Sequence, residues 1–165
     1  MSYGKKLYKQ IVYNITDYIN LIPSKGSILC LDIGEKTIGL AKCDLNRTIS
    51  QNLSTIIRTK FSKDIKILDN LIIKNEITSL VVGLPLDING NLNRKSQSII
   101  RITKEINSSI KLPILLWDER NSTKAVEKFL IKELNLSRNK RKEIIDSSAA
   151  NWILEGVIKL LKNKN

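Results

Sequence analysis

Two short runs of this 165-residue chain are apolar almost throughout, and they constrain its fold more than any other feature. The runs are SLVVGLP at 79–85 and PILLWDE at 113–119. Strands without polar alternation are typical of parallel strands that are buried on both faces of a sheet. Parallel neighbours need a crossover, and apolar residues at helical spacing precede each run. These residues are Phe61, Ile65, Leu68 and Ile72 before the first run, and Ile99, Ile102, Ile106 and Ile110 before the second. The pattern therefore predicts an α/β fold.

The segment before these helices has the pattern of an antiparallel meander of three strands. Strands are predicted at 28–33, 37–43 and about 48–57, joined by short polar turns. After the second apolar run, the predicted elements are a helix at about 122–134, a basic linker at 135–142 and a last helix at about 143–161. This order predicts a mixed five-stranded sheet, with three meander strands, two parallel strands and helices on both faces.

The first 26 residues are predicted to be a helical extension in front of one domain at 27–165. Apolar residues recur there at helical spacing, and a proline and a glycine close the segment. The apolar positions are Leu7, Ile11, Ile15 and Tyr18.

The charge of the chain indicates a polyanionic partner. It has 28 Lys and Arg against 16 Asp and Glu, a net charge of +12, which favours nucleic acid. The alternative is an A/T-rich genome, which also enriches Lys, Ile and Asn. With 0 histidines, the sequence excludes a Ser-His-Asp triad, a Cys-His pair and a histidine zinc site. Cys30 and Cys43 lie in apolar runs and are expected to be core residues of a cytoplasmic protein.

Acidic residues stand where the hydrophobic pattern predicts burial. Asp32 ends the first meander strand, and Asp118 and Glu119 end the last strand. Asp146 shares the face of the last helix with Ala150, and this face should pack on the sheet. Clustered carboxylates suit Mg²⁺ or Mn²⁺, which can activate water for phosphodiester hydrolysis. Taken singly, each acid could instead form a turn, a helix cap or a salt bridge.

Four blocks of the sequence resemble the YqgF/RuvX family, in the same order. The blocks read ILCLDIGEKTIGLAKCD, VVGLPLDINGN, PILLWDERNST and IIDSSAANWIL, and the resemblance covers about 28–160. It implies an RNase H-like fold and a Holliday-junction-resolvase-like nuclease that processes the 5′ end of pre-16S ribosomal RNA. The alternatives are a resolvase of branched DNA and a nucleic-acid-binding module without catalysis. An ATPase lobe of the actin and sugar-kinase class shares only the first block.

The resemblance implies a catalytic site of Asp32, Asp118, Glu119 and Asp146. Asp32, Glu119 and Asp146 are expected to bind the metal, since the longer Glu119 side chain can leave the strand end while Asp118 holds Arg120 or the loop. In related resolvases an acid closes the fourth strand, but this chain has Gly-Leu-Pro at 83–85. Whether the site binds one metal ion or two therefore stays open, with Asp87 as a possible substitute acid.

Cationic and polar residues around these acids are expected to bind nucleic acid, although each could also be an ordinary solvated side chain. They are Lys36, Arg94, Gln97, Arg120, Arg138, Lys140 and Arg141. Side chains of this kind bind phosphates in a salt-dependent way. Nothing in the sequence identifies a 2′-hydroxyl contact, and both a monomer and a homodimer remain open.

Overall fold

One mixed sheet organises the protein, which is described by a computed structural model over residues 10–120 and 137–164, without the side chains of 140–148. The described elements are β1 (Ile11–Val12), α1 (Ile15–Leu21), β2 (Ser27–Ile33), β3 (Thr37–Cys43), β4 (Ser50–Asn52), β5 (Ile56–Ile57), α2 (Phe61–Lys74), β6 (Ile77–Leu84), α3 (Arg94–Ser109), β7 (Ile114–Asp118) and α4 (Arg138–Asn163). The predicted helix at 122–134 lies outside the described residues.

The strand order is β1-β7-β6-β2-β3-β4, with β5 also paired to β3. β3 is antiparallel to β2, β4 and β5, whereas β6 is parallel to β2 and β7. The predicted fold class is therefore confirmed: a meander and two parallel strands form an RNase H-like core sheet with helices on both faces. The described sheet has seven strands and not the five predicted, because β1 joins it and the third meander strand is divided into β4 and β5. The third meander strand is not continuous. Just after β4 the Leu53 amide donates to the Leu40 carbonyl, and regular pairing with β3 resumes at β5.

Two apolar clusters cover the two faces of the sheet. One contains Leu29 and Leu31 of β2 and packs against α2 and α3. The other contains Ile28 and Cys30 of the same strand and packs against α1 and α4. Because side chains alternate along a strand, Asp32 belongs to the face that α4 covers.

The N-terminal segment differs from the single helix that its spacing predicts. Ile11 and Val12 form β1, which pairs in parallel with the outer edge of β7. β-branched residues suit this position, since they pack on a pleated surface and cover an edge that would otherwise be unpaired. Asn14 then caps α1, and the buried Tyr18 hydroxyl of α1 bonds Ser79 Oγ at 2.9 Å. The predicted N-terminal helix is thus present but shorter, and Leu7 lies outside the described residues.

The basic stretch predicted as a linker is helical from Arg138 onward. Arg and Lys are good helix formers, and neither proline nor glycine occurs between 138 and 155. The last helix therefore begins about a turn and a half earlier than its apolar stripe indicates. Within the described parts of the chain, no helix has the length and apolar character needed to cross a membrane.

Candidate active site

The first predicted site residue, Asp32, lies at the carboxyl end of the central strand β2. It is half-buried, and the residue opposite it on β3 is Gly39, which has no side chain. On the other side of β2 runs β6, which in turn pairs with β7. The parallel strands β2, β6 and β7 thus end at the same edge of the sheet, which is where ligands bind in α/β proteins of this kind.

Glu119 directly follows β7 and reaches across the end of β6. Its amide bonds the Leu84 carbonyl at 3.2 Å, which keeps the backbone beside β6. Its carboxylate lies over Gly83: the Glu119 carboxyl carbon is 3.0 Å from the place where a Cβ on that glycine would be. Ile153 of α4 approaches the same place, with its Cδ1 at 2.8 Å. The Glu119 carboxylate is therefore held between the sheet and α4.

The pKa of Glu119 indicates that its carboxylate lies near that of Asp32. The pKa of the Glu119 carboxyl is raised from 4.5 to about 7, chiefly by burial and next by the negative charge of Asp32. Lys95 opposes this rise, and Asp118 adds to it. Burial also raises the pKa of the Cys30 thiol, and the charges of Asp32 and Glu119 raise it further. Both carboxylates therefore lie near Cys30 in one half-buried pocket.

Asp118 occupies the opposite face of β7, with Ile114 and Leu116, and makes different contacts. It accepts hydrogen bonds from the Arg120 guanidinium, from Nε at 2.9 Å and from Nη2 at 2.6 Å, and from the Arg120 amide at 3.0 Å. The hydrogen bond from the Arg120 side chain is the main reason why the pKa of Asp118 is lowered. Of the two adjacent acids, Glu119 is the one brought to Asp32.

Arg120 also supports the loop that follows β6. Its Nη1 is 2.9 Å from where a Cβ on Gly90 would lie, and Gly90 has a φ of +84° that suits glycine. In the same loop, the Asp87 carboxylate accepts the amides of Asn89 at 2.9 Å and Asn91 at 2.7 Å. The Asp87 carboxylate therefore stabilises this turn. Its hydrogen bonds explain its presence without a position beside Asp32.

The predicted nucleic-acid-binding residues whose side chains are described are exposed, and those that follow β2 and β6 lie near the same edge of the sheet. Lys36 is in the turn after β2, and Arg94 and Gln97 are in the first turn of α3. That turn is capped by Asn93 through a capping box, and Asn93 also bonds the Pro85 carbonyl at 3.4 Å, which ties α3 to the end of β6. Arg138, which begins α4, is exposed, while the side chains of Lys140 and Arg141 are outside the described part of the chain.

The remaining acid, Asp146, lies on α4. The direction of this helix determines toward which edge of the sheet Asp146 lies. Ile153 meets the carboxyl end of β6, whereas Leu161 lines a cavity with Arg47, which bonds the Gly26 carbonyl just before β2. The helix therefore runs opposite to β2, and Asp146 precedes Ile153 toward the edge with Asp32. Its side chain is not among those described, so its place in the site stays a prediction.

The donor set fits a hard divalent cation. Burial and the nearby charge of Asp32 disfavour the charged form of the Glu119 carboxylate, and a cation bound beside the two acids would relieve both costs. Among the side chains that the structure describes, no group of three potential metal ligands is present. Sequence reasoning missed how Gly83 accommodates Glu119. The available signal was a glycine inside an otherwise apolar strand, which often marks a close approach by another group.

Comparison with known proteins shows the family of this chain. The chain belongs to the RuvX family, described as Holliday junction resolvase, whose match spans residues 26–160. A Caulobacter vibrioides protein named "Putative pre-16S rRNA nuclease" is 39% identical over 152 residues, 92% of this chain and 97% of that protein. A protein of the same name from Caldanaerobacter subterraneus subsp. tengcongensis is 38% identical over 136 residues, 82% of this chain and 98% of that protein.

Among solved structures, T. thermophilus RuvC in complex with a Holliday junction substrate is similar at a TM-score of 0.47. It is 9% identical, and the similarity covers 81% of this chain and 91% of that chain.

Proposed function

We propose that this protein is a metal-dependent nuclease that hydrolyses phosphodiester bonds in the 5′-end processing of pre-16S rRNA, in the cytoplasm. The observation that carries the proposal is the pair of carboxylates, Asp32 and Glu119, in one half-buried pocket at the ends of parallel strands. The names of the relatives supply the substrate. The site needs no histidine, in keeping with a chain that has 0 of them.

Asp32, Glu119 and Asp146 would hold the divalent cation, Mg²⁺ or Mn²⁺. When bound, such a cation polarises a phosphoryl oxygen and lowers the pKa of water. Asp32 and Glu119 orient the site from two different strands. Because Glu119 is fixed between β6 and Ile153, its carboxylate enters the reaction with little freedom left to lose.

The cations would position the RNA backbone relative to this pocket. Lys36 and Arg94 are exposed at the same edge of the sheet and are suited to phosphate contacts. Lys95 is close enough to affect the Glu119 charge, so it lies where a phosphate entering the pocket would pass. Arg120 is paired with Asp118, so it would support the loop that follows β6 and would not act as a free phosphate ligand.

The proposal is tested with purified protein, Mn²⁺ or Mg²⁺, and two substrates, a pre-rRNA 5′ leader and a four-way DNA junction. The wild type is compared with Asp32→Asn and with a matched control, Asp69→Asn. Asp69 is an exposed residue of α2, which covers the other face of the sheet. We expect metal-dependent cleavage of the leader, lost at least about 100-fold in Asp32→Asn and unchanged in Asp69→Asn.

The same assay separates the other functions. Cleavage of the junction but not of the leader would identify a resolvase of branched DNA, which is the description given to the RuvX family. Symmetrical cutting of a junction would require a homodimer, whereas processing one RNA strand would not. Tight binding of the leader without metal-dependent cleavage would reject the enzyme proposal in favour of a binding module.

A further inference from the structure

Among the glycines that the structure describes, Gly83 of β6 is the one whose missing side chain leaves room for a carboxylate of the site. A Cβ built on Gly83 would overlap Glu119 Oε1 and lie 3.0 Å from the Glu119 carboxyl carbon. It would also lie 2.8 Å from Ile153 Cδ1. Real Cβ atoms essentially never make contacts under 3.0 Å, so a side chain at position 83 would force the Glu119 carboxylate and the end of the Ile153 side chain to move.

The order of the strands explains why this space is needed. β6 lies between β2, which carries Asp32, and β7, which Glu119 follows. Val81 of β6 faces α4, and Gly83 shares this face because side chains alternate along the strand. A side chain from β7 can therefore approach Asp32 only by crossing β6, and position 83 is where Glu119 crosses.

Backbone conformation does not account for this glycine. Gly83 is in a regular part of β6, paired with Trp117 of β7, and its φ is outside the left-handed region. Glycine inside a strand weakens it relative to residues with side chains. The requirement at position 83 is for space, unlike that at Gly90, where φ is +84°.

We propose that Gly83 is a positioning residue for the reaction: its missing side chain allows Glu119 to lie beside Asp32. Position 83 then acts through Glu119 alone and touches neither metal nor RNA. The inference rests on the proposed role of Glu119 in the nuclease, but the interaction between the two residues can be measured without any activity.

The test is a double-mutant cycle of Gly83→Ala and Glu119→Ala, with Gly156→Ala as the matched control. Gly156 lies in α4, and a Cβ there would meet nothing within 4 Å. In urea unfolding with EDTA, Gly83→Ala should raise the unfolding equilibrium constant about 5- to 10-fold in wild type, and by a smaller factor when Glu119 is already alanine. Gly156→Ala should leave stability equal or higher.

Mn²⁺ binding and kcat provide a second test, because a purely structural role of Gly83 would leave both unchanged. Folded Gly83→Ala should bind Mn²⁺ about 10- to 100-fold more weakly by calorimetry, and kcat on the leader RNA should fall by a similar factor. KM for the RNA should stay within about twofold, since the cations that bind phosphate are unchanged. If Gly83→Ala alone does not fold, the Gly83→Ala/Glu119→Ala protein should.

A second double variant separates the two contacts at position 83. Ile153→Val removes the Cδ1 atom, so Gly83→Ala/Ile153→Val should remain defective in Mn²⁺ binding and kcat. Full recovery in that protein would overturn the proposal and assign the glycine to packing under α4. Equal destabilisation by Gly83→Ala in both Glu119 backgrounds would overturn it too. A failure of the nuclease proposal would give a different result. The wild-type protein would then cut neither substrate, while the unfolding cycle would still show coupling between Gly83 and Glu119.

Discussion

Replacing Glu119 with glutamine should make the metal-free protein more stable at neutral and alkaline pH. Above pH 7 the wild type must keep a charged carboxylate in a pocket that disfavours it, whereas glutamine carries no charge. Raising the pKa from 4.5 to about 7 corresponds to about 3 kcal/mol of unfolding free energy, since each pH unit is worth about 1.4 kcal/mol.

The sign of the pH dependence follows from proton binding. Because the folded protein holds the Glu119 proton more tightly than the unfolded chain does, the wild type is favoured at low pH. This contribution is complete below pH 4.5 and is lost as pH rises to about 7. The variant lacks it, so the two proteins should differ little at pH 4.5 and by up to about 3 kcal/mol at pH 8.

The assay is thermal and urea unfolding in EDTA from pH 4.5 to 8, with the exposed Glu105→Gln as control. At pH 8, Glu119→Gln should melt about 6 to 12 °C above wild type, because 1 kcal/mol shifts the Tm of a chain this long by about 2 to 4 °C. Adding Mn²⁺ at 1,000 times Kd should reverse the order, since only the wild type would gain the binding energy, about 4.1 kcal/mol, which exceeds its deficit of about 3 kcal/mol. A difference independent of pH, or a variant less stable at pH 8, would refute the reasoning.

Three further results are expected. Asp118→Ala should cost about 1 kcal/mol or less, as exposed ion pairs do, and should leave Mn²⁺ affinity unchanged; loss of Mn²⁺ binding in calorimetry would make Asp118 a ligand. Tyr18→Phe should lower the unfolding free energy by about 1 to 2 kcal/mol in urea because a buried serine hydroxyl loses its partner, while the exposed Tyr13→Phe should not. Arg94→Gln should reduce the salt slope of single-stranded RNA binding by about 0.7, and Lys66→Gln on α2 should not; equal slopes would remove Arg94 from the phosphate track.

The core sheet was predictable because its signals are local. Apolar runs without alternation identified β6 and β7, and the helical spacing between them required parallel crossovers. The N-terminal strand was not predictable in the same way. Ile11 and Val12 fit a helical stripe and a strand equally well, and pairing with β7, more than 100 residues away, decides between them.

The site was predictable in part for a similar reason. Strand ends that meet at one edge place Asp32 and Glu119 near one another, and this follows from the topology alone. The sequence did not reveal that Glu119 lies over Gly83, because that contact joins two strands and depends on the path of one side chain. The role of Asp118 as partner of Arg120 was one of two alternatives until the face of β7 was known.

The most direct test of the proposed site is anomalous diffraction from crystals of the wild-type protein soaked in Mn²⁺. A peak within about 2.5 Å of carboxylate oxygens from Asp32, Glu119 and Asp146 is expected, with no peak in crystals of Asp32→Asn. Manganese elsewhere on the surface, or a peak that leaves out Asp32 or Glu119, would contradict the assignment of this pocket as the catalytic metal site.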